Sequence, residues 1–190
     1  VFLDYQDRFN FGLKTNIDLA GEARTVGLLY DETMGSADLA TNSFGQNFNC
    51  TMIQLLTSFC SSINGGYYYE PHVVSRIETT SGAVIKNIEP RVLKRTVAES
   101  TSELIVEYCN AVVETGTGKT ARPAGYAIGG KTGTGQTYPR GNNEYVVSFI
   151  GYAPAEDPQI AIYVVVDRAN TEKQDNSRMA TKITREILTE

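Results

Sequence analysis

Residues Gly125–Gln136 read GYAIGGKTGTGQ. Within them Gly125, Gly130, Lys131 and Thr132 satisfy the G-x-x-x-x-G-K-[ST] pattern of a phosphate-cradling loop. The segment therefore admits two folds: a loop opening a helix in a parallel α/β sheet, or an extended strand. A phosphate loop needs a buried strand before its first glycine and a helix starting at the Lys-Thr pair, because the helix N-terminus and the loop N–H groups make the anion site. Neither flank complies. Upstream, TGKTARPA is polar and contains Pro123, and downstream Gly133, Gly135, Pro139 and Gly141 oppose a helix. A second Gly-Lys-Thr at Gly118–Thr120 has Val113 where the pattern requires glycine. The segment is read as an extended strand whose glycines let its backbone approach a ligand closely.

The surroundings agree. EYVVSFIGYAP (Glu144–Pro154) and IAIYVVVD (Ile160–Asp167) are two apolar runs joined by a short turn, hence an antiparallel pair. Asp167 imitates the magnesium-holding acid of a nucleotide site, but an antiparallel pair is the wrong sheet for it. The unbroken apolar run Ile160–Val166 predicts cover on both faces. Ser177–Leu188 supplies a closing helix with Met179, Ile183 and Ile187 at four-residue spacing and Ala180 and Leu188 beside them. Thr51 with Gln54 reads as a capping box starting a helix whose buried face is Met52, Leu55, Leu56, Phe59, Cys60 and Ile63, stopped by Gly65 and Gly66. Ser100 with Glu103 repeats the signal ahead of Leu104, Ile105, Tyr108, Cys109, Val112 and Val113, and Gly116 ends that helix. Between the two, His72–Pro90 alternates around Ser81-Gly82 as an outlying hairpin. Helices, then strands, then a helix predict an α+β fold with an antiparallel sheet.

Composition narrows the function. The 190 residues are 41% hydrophobic and carry a net charge of −5, which gives one ordinary core and no basic field for nucleic acid. No stretch approaches the roughly 20 apolar residues of a spanning helix. The chain opens VFLDYQDRFNFG, without an initiator methionine or a leader pattern, and is read as a piece of a longer protein. Cys50, Cys60 and Cys109 have no C-x-x-C spacing, and with His72 as the single histidine they predict no zinc site. Cys50 and Cys60 are too far apart along a helix to bridge, so buried free thiols are expected.

Lys-Thr-Gly is also one of three motifs of the serine penicillin-binding proteins and β-lactamases, beside S-x-x-K and S-x-N or S-D-N. FGLKTNIDLAGEA (Phe11–Ala23), DLATNSFGQ (Asp38–Gln46), INGG followed by Pro71, VVETGTG (Val112–Gly118), GGKTGTGQ (Gly129–Gln136) and SFIGYAP (Ser148–Pro154) follow in that order. Together they resemble the second half of the transpeptidase domain of class B high-molecular-weight penicillin-binding proteins. Asn16 and Ala20 stand where that family commonly has Gly and Pro, and Gly135 where it often has Ala. No serine of the chain has lysine three residues on, and the one S-x-N, Ser62-Ile63-Asn64, sits at a helix end where Asn64 reads as a stop. The resemblance places both missing motifs before Val1.

The resemblance implies a peptidoglycan D,D-transpeptidase that needs no cofactor, cross-links stem peptides ending in D-Ala-D-Ala through an acyl-serine, and binds β-lactams. It implies electrostatic work for Lys131 near the S-x-N serine, carboxylate binding by Thr132 and Thr134, half of the oxyanion hole from the Thr134 N–H, and backbone access at Gly130 and Gly133. Residues 1–190 would then be the C-terminal portion of one domain. Its partner would be the missing N-terminal half, and the parent would be membrane-anchored and act on the extracytoplasmic face. The isolated piece is expected to be inactive and to expose an apolar face that drives association. A β-lactam sensor and a nucleotide-binding protein are the alternatives.

Overall fold

The computed structural model describes residues 1–190 and divides them into two units, Val1–Glu99 and Ser100–Glu190. The first unit holds helices α1 (Phe2–Arg8), α2 (Ser36–Asn42) and α3 (Met52–Ile63) and strands β1 (Tyr67–Tyr69), β2 (Arg76–Glu78), β3 (Val84–Asn87) and β4 (Val92–Arg95). α3 starts at the predicted capping box: Gln54 N donates to Thr51 Oγ1 at 3.2 Å and Thr51 N to Gln54 Oε1 at 3.0 Å. It ends at Asn64, whose amide donates to Tyr67 O while its Oδ1 accepts from Tyr67 N. Gly65 and Gly66 then turn with φ of +85° and +95°. A side chain at Gly66 would fall on the Val97 carbonyl oxygen, so this turn requires glycine.

Of the face predicted for α3, only Ile63 is buried. Met52 is 52% exposed, and Leu55, Leu56, Phe59 and Cys60 are half-buried. The inward residues are Gln54, Thr57, Ser58, Ser61 and Ile63. Irregular backbone packed against the helix needs donors there: Gln54 Nε2 donates to Leu13 O, and Ser58 Oγ lies 2.7 Å from Phe9 O. Buried carbonyls without partners cost more than the apolar contact they would displace. β1 pairs antiparallel with β4, and β2 with β3 around the predicted Ser81-Gly82 turn. Every residue of β2 and β3 is exposed.

The second unit builds on α4 (Glu99–Glu114), β5 (Gly129–Gln136), β6 (Tyr145–Ala153), β7 (Ile160–Asp167) and α5 (Arg178–Thr189). α4 begins one residue before Ser100, which puts that serine in the first turn and not at the cap. The strands form an antiparallel sheet in the order β5-β6-β7. α5 lies against β6 and β7. Val113, Ala121, Ile128, Phe149 and Ala180 form the core, with Ala153, Val164, Val166 and Leu188 packed around it. Burying Phe149 alone is worth about 1.5–3 kcal/mol. Two expectations are corrected. α5 buries Ala180 and packs Leu188 on the core as expected, but it also buries Thr181 and Thr184 while Ile183 and Ile187 remain exposed, because a close approach to the sheet favours small residues at the contact. β7 stays half-buried along most of its length, so its apolar run is not covered on both faces within these residues.

Candidate active site

β5 carries the segment read from the sequence as an extended strand, and it is extended throughout, with no helix at Lys131-Thr132. It pairs with β6 in one uninterrupted register, Gly129 opposite Tyr152 through Gln136 opposite Tyr145. Its other edge has no strand neighbour. The bond from Thr137 N to Glu144 O at 2.9 Å continues that register and fixes its phase. Antiparallel residues alternate between exchanging hydrogen bonds with their partner and pointing their backbone groups away from it. Gly129, Lys131, Gly133 and Gly135 therefore bond to β6, while Gly130, Thr132, Thr134 and Gln136 direct N–H and C=O toward the edge that has no strand neighbour.

Side chains follow the same parity. Lys131 stands on one face of the strand with Gly129 and Gly133, and Thr132 and Thr134 stand on the other with Gly130. Lys131 is exposed, and its Nζ donates at 2.7 Å to Thr132 O, one of the edge-facing carbonyls. It also bears on α4: burial pushes the Cys109 thiol up, and the Lys131 ammonium pulls it partly back. Thr132 Oγ1 lies 2.9 Å from Thr117 Oγ1, on the loop that leaves α4. Thr134 is exposed.

The glycines do more inside the sheet than outside it. Gly129 and Gly130 are buried. A Cβ at Gly129 would overlap the Tyr152 ring and the Asn110 side chain, and one at Gly130 would overlap Phe149 and the Ile150 carbonyl. Their smallness serves packing against β6 and α4. Tyr152 Oη donates to Asn110 Oδ1 at 2.8 Å, and Val106 O lies 3.1 Å away. Burial raises its pKa well above the ordinary tyrosine value. At Gly133 an added Cβ would meet Ser148 Oγ at 2.5 Å, so that serine would have to turn.

Other candidates stand apart from chemistry. Cys50, Cys60 and Cys109 are free thiols; only Cys109 is fully buried, and burial pushes the Cys50 pKa up to about 11. His72 is exposed, with Nδ1 2.9 Å from Val74 O. Ser62 Oγ donates to Ser58 O within α3, and Asn64 has the structural role already described. A cleft of about 630 Å³ is lined by Lys119, Arg122, Pro123, Ala124, Gly125, Arg185, Glu186 and Thr189. It contains no nucleophile from β5 and no residue of the Lys-Thr-Gly segment. No helix is long and apolar enough to cross a membrane.

A family model described as the penicillin-binding protein transpeptidase domain matches residues 1–189. The chain belongs to that family. Stage V sporulation protein D of Bacillus subtilis is 38% identical over 189 residues, 97% of this chain and 29% of that protein. A peptidoglycan D,D-transpeptidase FtsI homolog of Mesostigma viride is 27% identical, over 94% of this chain and 32% of its own length. The chain thus spans less than a third of these relatives. Among solved structures, penicillin-binding protein 3 of Mycobacterium tuberculosis complexed with aztreonam superposes with a TM-score of 0.85 at 24% identity, covering 98% of this chain and 44% of the other. Penicillin-binding protein 2B of Streptococcus pneumoniae gives 0.78 at 26% identity, with 96% and 30% covered. The α+β fold and antiparallel sheet expected from the sequence are those of penicillin-binding transpeptidase domains.

The sequence brought Lys131, Thr132, Gly133 and Thr134 to one strand but missed the contact between Thr132 and Thr117. Its signal was present in VVETGTG: a hydroxyl set between two glycines straight after a helix.

Proposed function

We propose that this chain is the C-terminal portion of a serine-type peptidoglycan D,D-transpeptidase domain, and that β5 is one wall of its active site. The observation that carries this is the edge of β5 that no strand pairs, where the backbone groups of Thr132 and Thr134 turn away from β6 with the Thr132 and Thr134 side chains on one face and Lys131 on the other. A strand edge of this kind takes an extended peptide as an added strand.

The chemistry assigned to it is acyl transfer. A serine outside these residues attacks the penultimate D-alanine carbonyl of a stem peptide. The bond to the terminal D-alanine breaks, and D-alanine leaves with the serine proton. An amine of a second stem then displaces the serine oxygen and forms the cross-link. The Thr134 N–H, directed to the edge, stabilises the oxyanion of each tetrahedral intermediate; a single donor of this type is worth about 3–4 kcal/mol of barrier. Thr132 and Thr134 hold the ligand carboxylate through charge-assisted bonds. Lys131, on the opposite face, supplies positive charge and hydrogen bonding near a second serine. Gly130 and Gly133 contribute backbone to the wall. No serine here precedes a lysine by three positions, so the 190 residues alone lack the nucleophile, and the domain's N-terminal part is the partner that completes the site. β-Lactams imitate the stem terminus; the aztreonam complex of the mycobacterial protein supports this reading. Work on peptidoglycan places the parent outside the cytoplasmic membrane.

Intact mass after excess benzylpenicillin tests it. The full-length protein carrying this chain gains one drug mass on a serine outside residues 1–190, and the 190-residue chain gains none. A full-length protein without an adduct overturns the transpeptidase reading. An adduct on the isolated chain moves the nucleophile into these residues, with Ser62 the first to mutate.

A further inference from the structure

Thr117 lies fifteen residues before Thr132 in the chain, yet their hydroxyl oxygens are 2.9 Å apart. The loop that presents it is drawn onto the end of α4. Thr115 N and Gly116 N both donate to Ala111 O, Gly118 N donates to Val112 O at 3.0 Å, and Thr115 Oγ1 donates to Ala111 O at 3.0 Å. Gly116 and Gly118 permit this approach. A Cβ at Gly116 would sit 2.9 Å from Val112 O, and one at Gly118 would sit 3.2 Å from methyls of Val112 and Val113. Val113 is 1% exposed, so the loop rests on the core and Thr117 is held on a fixed base.

A hydroxyl has one proton and two lone pairs. Between two threonines either can donate, but a carboxylate accepts only. Once a carboxylate meets Thr132, the Thr132 proton goes to it, and the 2.9 Å contact survives only with Thr117 as donor. Donation from Thr117 both turns the Thr132 proton outward and polarises that O–H, since hydrogen bonds in a chain strengthen one another.

Resting on the transpeptidase reading, we propose that Thr117 is a positioning residue that aims the Thr132 hydroxyl at the ligand carboxylate and so sets the preference for carboxylate-bearing ligands. Thr117 touches no ligand itself.

Acylation of the full-length protein, measured as a second-order rate constant for benzylpenicillin and for its methyl ester, tests this. Thr117→Val keeps the shape of the side chain and removes the donor; Thr117→Ser keeps the donor. Thr117→Val loses roughly three- to tenfold with benzylpenicillin, the range expected for one neutral hydrogen bond, and less than about twofold with the ester, which presents no anion for Thr132 to meet. Thr117→Ser stays within about twofold of wild type on both ligands. Equal losses on the two ligands, or a serine variant no better than the valine, overturns the proposal, because a merely structural threonine acts on both ligands alike. If Thr117→Val does not fold, Thr117→Ala compared with Thr117→Ser gives the same decision. A wild-type protein that is not acylated refutes the transpeptidase reading; an acylated wild type with an unaffected valine variant refutes only the role of Thr117.

Discussion

Gly129 shows what a single missing methyl group does for this strand. Its Cα lies where a Cβ would overlap the Tyr152 ring and Asn110, and both side chains are tied to each other by the 2.8 Å bond from Tyr152 Oη. Neither can retreat without breaking that bond. Gly129→Ala is expected to destabilise the second unit by about 1–3 kcal/mol, the usual cost of overpacking a filled core, seen as a lower urea midpoint with an unchanged slope. Gly130 is held the same way by Phe149 and the Ile150 carbonyl. The sequence announced glycines here, but it gave no means of telling a glycine that admits a ligand from one that admits a tyrosine. That distinction needs the partner residue twenty-three positions away, and register alone supplies it. Thr117 and Thr132 repeat the lesson: two hydroxyls on different segments become one device only when a loop folds back on its helix.

Among the elements, β2, β3, β5, β6 and β7 were readable because their signals are local, whereas the short β1 and β4 were not read. Apolar runs separated by Glu156-Asp157-Pro158 define an antiparallel pair without reference to anything else. Of the helices, α3, α4 and α5 were readable in extent, whereas α1 and α2 were not read, and the face of α3 was largely misread because its buried side is chosen by the carbonyls of Phe9 and Leu13, which need donors, and not by its own apolar stripe. The β2–β3 hairpin is exposed along its whole length, and its base is tethered by a side chain. Asp18 accepts hydrogen bonds from Val73 N at 2.7 Å and Val74 N at 2.9 Å. Those two donors hold its pKa below the ordinary 3.8. A carboxyl whose folded pKa is depressed contributes stability that is fully present above its unfolded pKa and is lost as pH falls through the folded value. Protection of the Val73 and Val74 amides against hydrogen exchange, corrected for intrinsic rate, is therefore expected to hold above about pH 4 to 5 and to fall at lower pH. Asp18→Asn should lower that protection at neutral pH and remove its pH dependence.

For the molecule as a whole, the exposed apolar residues set behaviour in solution. Met52 on α3, Ile160 on β7 and Ile183 and Ile187 on α5 are all exposed, and β7 has a neighbour on one edge only. A strand of this length with one unpaired edge is a template for another chain. The 190-residue chain is expected to associate as its concentration rises, read as a rising sedimentation coefficient; a constant monomeric value over a hundredfold range would contradict this. Chain order adds a matter of timing. β5, β6 and β7 are neighbours in the sheet in the order in which they are made, and the core around Phe149 includes Ala180 of α5. A ribosome adding 5–20 residues per second needs about 3–10 s to run from the end of β5 to the end of α5. During that interval the Lys-Thr-Gly strand, whose own glycines bring almost no side chain to bury, exists as nascent polypeptide waiting for the residues that will hold it.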